Sequence, residues 1–133
     1  MDAVEQITSE GKILCYVVRA SVRPETTTFV TPAENNLQVG YVVYRAKGEV
    51  PRHSHVPIER RITGTGEVLV VREGKCEVDV YNDQEKLIAT RELGEGDVLV
   101  MVSGSHGFRM LQDTVLLEIK QGPYSGLQEK KRF

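Results

Sequence analysis

The sequence predicts an all-β domain, and three observations predict it. Apolar and polar residues alternate with a period of two along several segments. Turn-forming residues punctuate the chain every ten residues or so, as in sandwiches, barrels and jelly rolls. No long window shows the sustained 3.6-residue periodicity of an amphipathic helix. Taken in order, residues 2–10 are expected to form one helical turn or fray. Strands are then expected near Lys12–Arg19, Leu37–Lys47 and Gly66–Arg72. Lys75–Tyr81 (K-C-E-V-D-V-Y) is the cleanest half-buried strand, with Cys76, Val78 and Val80 on one face and Glu77 and Asp79 on the other. A strand near Lys86–Leu93 follows. Val98-Leu-Val-Met-Val102 is a continuous apolar run, as expected of a strand covered on both faces. Thr114–Lys120 sets Val115, Leu117 and Ile119 against Leu116, Glu118 and Lys120. The breaks carry turn chemistry: Glu73-Gly74-Lys75, Asn82-Asp83, Gly94-Glu95-Gly96-Asp97 and Gln112-Asp113. The tail after Pro123 is expected to be coil or a short helix.

With 133 residues, 40% hydrophobic and 27% charged, the chain is one domain with an ordinary globular composition. Net charge is −2 and the pI about 5.9. The largest basic patch is Lys130-Lys131-Arg132, so neither nucleic acid nor an anionic membrane is an expected partner. No apolar run has transmembrane length, and Met1-Asp2-Ala3-Val4-Glu5 does not open like a signal peptide, so a cytoplasmic location is expected. Cys15 and Cys76 are expected reduced, with Cys76 a small core side chain rather than a reactive thiol.

Function is most visible in the three histidines. His53 and His55 form an H-x-H pair, and His106 follows in Ser-Gly-Ser-His-Gly-Phe. On a strand, residues i and i+2 share a face about 6.5–7 Å apart, so two imidazoles can converge on one cation. Neutral imidazole is the commonest protein ligand for transition metals. Two glutamates could join them. Glu59 stands in Pro57-Ile-Glu-Arg-Arg61, a segment suited to a loop. Glu67 opens Glu-Val-Leu-Val-Val-Arg-Glu-Gly74, where it would share the inward face with Leu69 and Val71, and it is preferred.

The order of these parts resembles the cupin superfamily, small jelly rolls with the motifs G-x5-H-x-H-x3,4-E-x6-G and G-x5-P-x-G-x2-H-x3-N. Gly48-Glu-Val-Pro-Arg-His53-Ser-His55 resembles the start of the first, one residue short between Gly and His. Both Glu59 and Glu67 satisfy E-x6-G. Gly96-Asp97, an apolar strand and Ser103-Gly104-Ser105-His106 resemble the second. Val102 stands in place of its Pro, one residue rather than two separates Gly104 from His106, and Met110 replaces the closing Asn.

The resemblance covers about residues 35–121. It implies a single-domain jelly roll (a double-stranded β-helix barrel) over 12–133, preceded by an N-terminal extension over 1–11. It further implies a divalent transition metal (Fe, Mn, Ni or Zn) held by His53, His55, Glu67 and His106, a small-molecule pocket inside the barrel, and a homodimer.

Two classes of function fit such a site. One is a metal-dependent enzyme of dioxygenase, isomerase or lyase type, acting on a small anionic or sugar-derived substrate. The other is a non-catalytic binding protein for a small molecule or sugar, as in surface-polysaccharide pathways. A vestigial site in a structural dimer is a further alternative. A metal-free enzyme would need a general base, and no histidine stands outside the expected metal set. A loop over 56–66 would hang over the pocket mouth and bring Arg60 and Arg61 to an anionic ligand.

Overall fold

A computed structural model describes residues 4–133, apart from the side chains of Leu127 and Gln128. Its strands are β1 (Val4–Ser9), β2 (Lys12–Val18), β3 (Thr28–Phe29), β4 (Gly40–Tyr41), β5 (Glu67–Glu73), β6 (Lys75–Tyr81), β7 (Leu87–Gly94), β8 (Val98–Met101), β9 (Ser105–Met110) and β10 (Val115–Lys120). A single 3-10 turn, Gly126–Glu129, lies in the tail. The protein is all-β, and all its strand pairs are antiparallel. The strands form a five-stranded sheet ordered β1-β2-β8-β5-β10, a three-stranded sheet ordered β7-β6-β9, and the small pair β3-β4.

The two larger sheets share one apolar core. Ile7, Cys15, Val17, Leu69, Val71, Leu99 and Met101 from the first meet Cys76, Val78, Val80 and Leu93 from the second. The opposite face of the five-stranded sheet is also covered. Tyr16, Val18, Val68 and Val100 lie beneath Val30, Leu37, Val39 and Tyr41, which belong to the stretch around β3 and β4. Burial on both faces explains why Leu14 through Val18 are all buried, and why the apolar run of β8 has no polar alternation.

Residues 4–10 are not helical, and the expectation for Asp2 and Ala3 lies outside the described residues. Val4–Ser9 is the edge strand of the larger sheet, in register with β2 through Ser9↔Lys12, so residues assigned to an N-terminal extension form part of the fold. Glu10 and Gly11 both have positive φ (51° and 78°), the conformation of a two-residue I′ hairpin that aligns the two strands. The strand expected over Leu37–Lys47 reduces to Gly40–Tyr41. Val39 and Tyr41 belong to the short β3–β4 pairing, Leu37, Val39 and Tyr41 turn their side chains onto the larger sheet's outer face, and Val42 and Tyr44 beyond them are exposed. From residue 42 to 66 there is no strand.

Asp97 ties the β7–β8 turn to the end of β2. Its carboxylate accepts from Ala20 N (2.8 Å), Gly94 N (2.9 Å) and Arg19 Nη1 (3.1 Å). This is the physical content of the Gly96-Asp97 signal before β8.

Candidate functional site: a carboxylate–imidazole pair between the sheets

His106 and Glu67 come from opposite sheets. In the β6–β9 ladder His106 lies opposite Val80 and Phe108 opposite Val78. Directly opposed residues share a face, and Val78 and Val80 are fully buried, so His106 and Phe108 point inward. Glu67, at the start of β5, lies opposite Met101 of β8, whose side chain belongs to the shared core. The two inward side chains meet with His106 Nε2 3.1 Å from Glu67 Oε2. The Phe108 ring stands edge-on to the imidazole, centroids 5.6 Å apart at 74°.

Before His106 the chain turns through Gly104, whose φ is +70°. A Cβ there would collide with the Tyr81 carbonyl oxygen, so the loop Ser103-Gly104-Ser105 reaches β9 only with glycine at this position.

The pair is close but incompletely satisfied. Glu67 Oε2 is buried and has no aligned hydrogen bond among the described residues, although the imidazole lies within ion-pair distance. His106 beside it holds the carboxyl below its ordinary range against the opposing effect of burial, and Lys120 and Lys130 add to the lowering. A proton on Nε2 faces the carboxylate oxygen without the alignment of a full hydrogen bond, and that tautomer leaves Nδ1 as the acceptor.

Both side chains line a cavity of about 770 Å³ that opens between the sheets. Leu69, Met101, Phe108 and Leu116 supply apolar wall, and the tail residues Glu129–Phe133 line it as well. Gly64, Thr65, Ser103 and Gly104 also border a second cavity of about 500 Å³.

The other expected ligands stand elsewhere. His53 and His55 lie together on exposed coil, their rings 5.3 Å apart and 67° from parallel. His53 Nδ1 lies 2.9 Å from the Pro51 carbonyl, which can only accept, so Nδ1 carries the proton and Nε2 is free. Among the described residues, no three His, Cys, Asp or Glu side chains form a group that could hold a metal ion. The imidazole pair and the carboxylate–imidazole pair are therefore two separate sets of donors here.

Glu59, Arg60 and Arg61 are exposed and line neither cavity. The arginines do not come to the pocket mouth, because the coil that carries them is not folded onto the sheets. The cationic side chains along the larger cavity are Lys130, Lys131 and Arg132, the basic run of the tail. Sequence reasoning read that run only as the largest basic patch. The nearest available signal was the phenylalanine after it, since the Phe133 ring packs edge-on to Tyr81 with centroids 5.1 Å apart.

The fold and site define an all-β protein with a carboxylate–imidazole pair in an intersheet cavity. Comparison with family models, curated proteins and solved structures gave no match. Among the described residues, no helix is long and apolar enough to cross a membrane.

Proposed function

We propose that the protein is a jelly roll of cupin type that binds a small molecule between its sheets, with Glu67 and His106 at the centre of the site. The observation that carries this reading is the buried Glu67 Oε2, which among the described residues has His106 Nε2 beside it but no aligned hydrogen bond, at the wall of a large cavity. A buried carboxylate oxygen without an aligned donor is costly, and a ligand hydroxyl or amide N–H would supply what the chain does not. The free Nδ1 of His106 is a proton acceptor whose ring is steadied by the carboxylate, an arrangement suited to general acid–base exchange with a bound hydroxyl or carbonyl compound.

Melting-temperature screening against small hydroxylated and carbonyl compounds tests this. A ligand at a hundred times its Kd adds about 2.7 kcal/mol of stability. Wild type should respond to some of these compounds, while Glu67→Gln and His106→Ala should lose the response. A response retained in both variants would place binding elsewhere.

The same orphaned oxygen favours a second reading, in which a divalent Fe, Mn, Ni or Zn ion joins Glu67 and His106. The pair offers two of the four donors expected from the sequence. The other two, His53 and His55, stand on the coil, and the free Nε2 of His53 suits a ligand. As arranged here the four do not form a metal site, and no chemical step is assigned to an ion. Elemental analysis after incubation with Ni²⁺ or Zn²⁺ decides between the readings. One ion per chain, lost in a His53→Ala/His106→Ala double variant, supports the metal; no retained ion, or retention in that variant, removes it. The homodimer belongs to the cupin-type reading and is checked by sedimentation velocity, where a species near the 14.9 kDa chain mass would overturn it.

A further inference from the structure

The tail of the chain forms part of the cavity. Glu129, Lys130, Lys131, Arg132 and Phe133 all line it, so the carboxylate–imidazole pair faces a wall that belongs to neither large sheet. Two contacts hold that wall, both on the β6–β7 side. The Phe133 ring packs edge-on to Tyr81 at the end of β6, and Lys131 Nζ lies 2.9 Å from Glu85 Oε1 in the β6–β7 turn.

The charges along this cavity divide into those with partners and those without. Lys131 is taken by Glu85. Glu118 lies 3.9 Å from Lys120, and Glu129 accepts from Ser125 N at 3.2 Å. Among the described residues Lys130 and Arg132 form no ion pair. Of the lining carboxylates, Glu67 has the imidazole beside it and feels the charge of Lys130, and Glu129 keeps its charge because its donor is a neutral amide. Two cations outside any ion pair, Lys130 and Arg132, therefore share a space of about 770 Å³ with the carboxylates of Glu67 and Glu129, so the wall offers an anion two cationic donors and its hydroxyls two acceptors. An exposed Lys or Arg is usually a solvated charge worth little. Here an aromatic contact and an exposed ion pair flank Arg132 on either side, which sets the course of the tail along the cavity before any ligand arrives.

We propose that the tail is a cationic strap in which Lys130 and Arg132 recognise the anionic group of the cavity's ligand, which is a small hydroxylated carboxylate or phosphate ester. The inference rests on the reading of the cavity as a ligand site, and it adds the charge class of the ligand and the residues that select it. The anion sits against the strap, where the Arg132 guanidinium offers forked donors. A ligand hydroxyl donates to Glu67 Oε2, and the ligand's apolar atoms lie against Leu69, Phe108 and Leu116.

Calorimetric titration of the full chain with glycerol 3-phosphate, malate and glycerol tests the strap. Either anion should bind while glycerol does not, and the stronger of the two identifies the group as phosphate or carboxylate. The Lys130→Gln/Arg132→Gln variant should bind that anion about tenfold or more weakly with an unchanged melting temperature. Wild type binding neither anion, glycerol binding as well as glycerol 3-phosphate, or the double variant matching wild type would each overturn the proposal. The His106→Ala variant separates the two claims. Anion binding lost in His106→Ala but intact in the double variant sinks the strap and keeps the cavity. Binding lost in the double variant but intact in His106→Ala puts the anion on the tail alone, which sinks the cavity reading and the strap's role in it.

Discussion

Burial and a neighbouring imidazole pull the Glu67 carboxyl in opposite directions, and the imidazole wins. The folded chain therefore titrates this group below its ordinary value of 4.5. A lowered folded pKa means stability that is fully present above 4.5 and lost as pH falls through the folded value. The difference in unfolding free energy between wild type and Glu67→Gln should thus shrink as pH falls below about 4.5. Urea titrations at pH 3 to 7 read this directly, and a difference that is flat throughout would mean that Glu67 is not coupled to His106. The two cysteines behave oppositely. Cys15 and Cys76 are free and buried in the shared core, and burial pushes the Cys15 thiol up to about 12. A thiol reagent should label neither in the native protein and both after denaturation. The small-core role of Cys76 was legible from its alternation with Val78 and Val80. The meeting of Glu67 with His106 was not, because it depends on which sheets face each other, and only the inward register of each strand is written locally.

Strands and turns were legible where one physical rule dominates. Lys75–Tyr81 alternates cleanly and is β6 residue for residue, and the apolar run of Val98–Met101 is covered on both sides. Val4–Ser9 was read as helix or fraying chain because its edge position leaves it only one buried residue, Ile7, and its register comes from the Glu10-Gly11 turn. Leu37–Lys47 has strand-like residues, but only Gly40–Tyr41 pairs, in the small β3–β4 sheet, and Leu37, Val39 and Tyr41 serve as cover for the larger sheet without joining it. Asp97 shows the same division: the turn was visible in Gly-Glu-Gly-Asp, while its bond to Ala20 N, 77 positions away, was not. Asp97→Ala leaves the partly buried donors of that turn and of the β2 end without their acceptor, which should cost about 2 kcal/mol. Denaturant unfolding should show a lower midpoint at unchanged m, and an unchanged midpoint would mean that water replaces the carboxylate without loss.

Protection from solvent is unevenly distributed over the protein. The five-stranded sheet lies between the three-stranded sheet and the cover formed around β3 and β4, and β2, β8 and β5 occupy its interior. Their amides can open only when both layers separate, so they should exchange with solvent at the rate of global unfolding. Residues 42–66 differ in every relevant respect. They contain no strand, and Val50, Val56 and Ile58 are more than half exposed. Their backbone hydrogen bonds are few: Gly48 N donates to Arg45 O and Val43 N to Thr27 Oγ1, while Pro51 O accepts from His53 Nδ1 and Gly66 O from Gln121 N. Peptides covering 44–62 should therefore exchange within seconds while those covering β2 and β8 persist for the lifetime of the fold, a contrast that exchange mass spectrometry resolves. This segment carries His53 and His55, and β9, which carries His106, is an edge strand with one side of its backbone unpaired. Edge backbone of this kind is a template for an added strand. If the segment pairs there when a metal is supplied, addition of Zn²⁺ or Ni²⁺ should slow exchange in residues 50–58 and in β9 together. Unchanged exchange in both, at metal concentrations that saturate any site found by elemental analysis, would leave Glu67 and His106 as the whole centre and the H-x-H pair outside it.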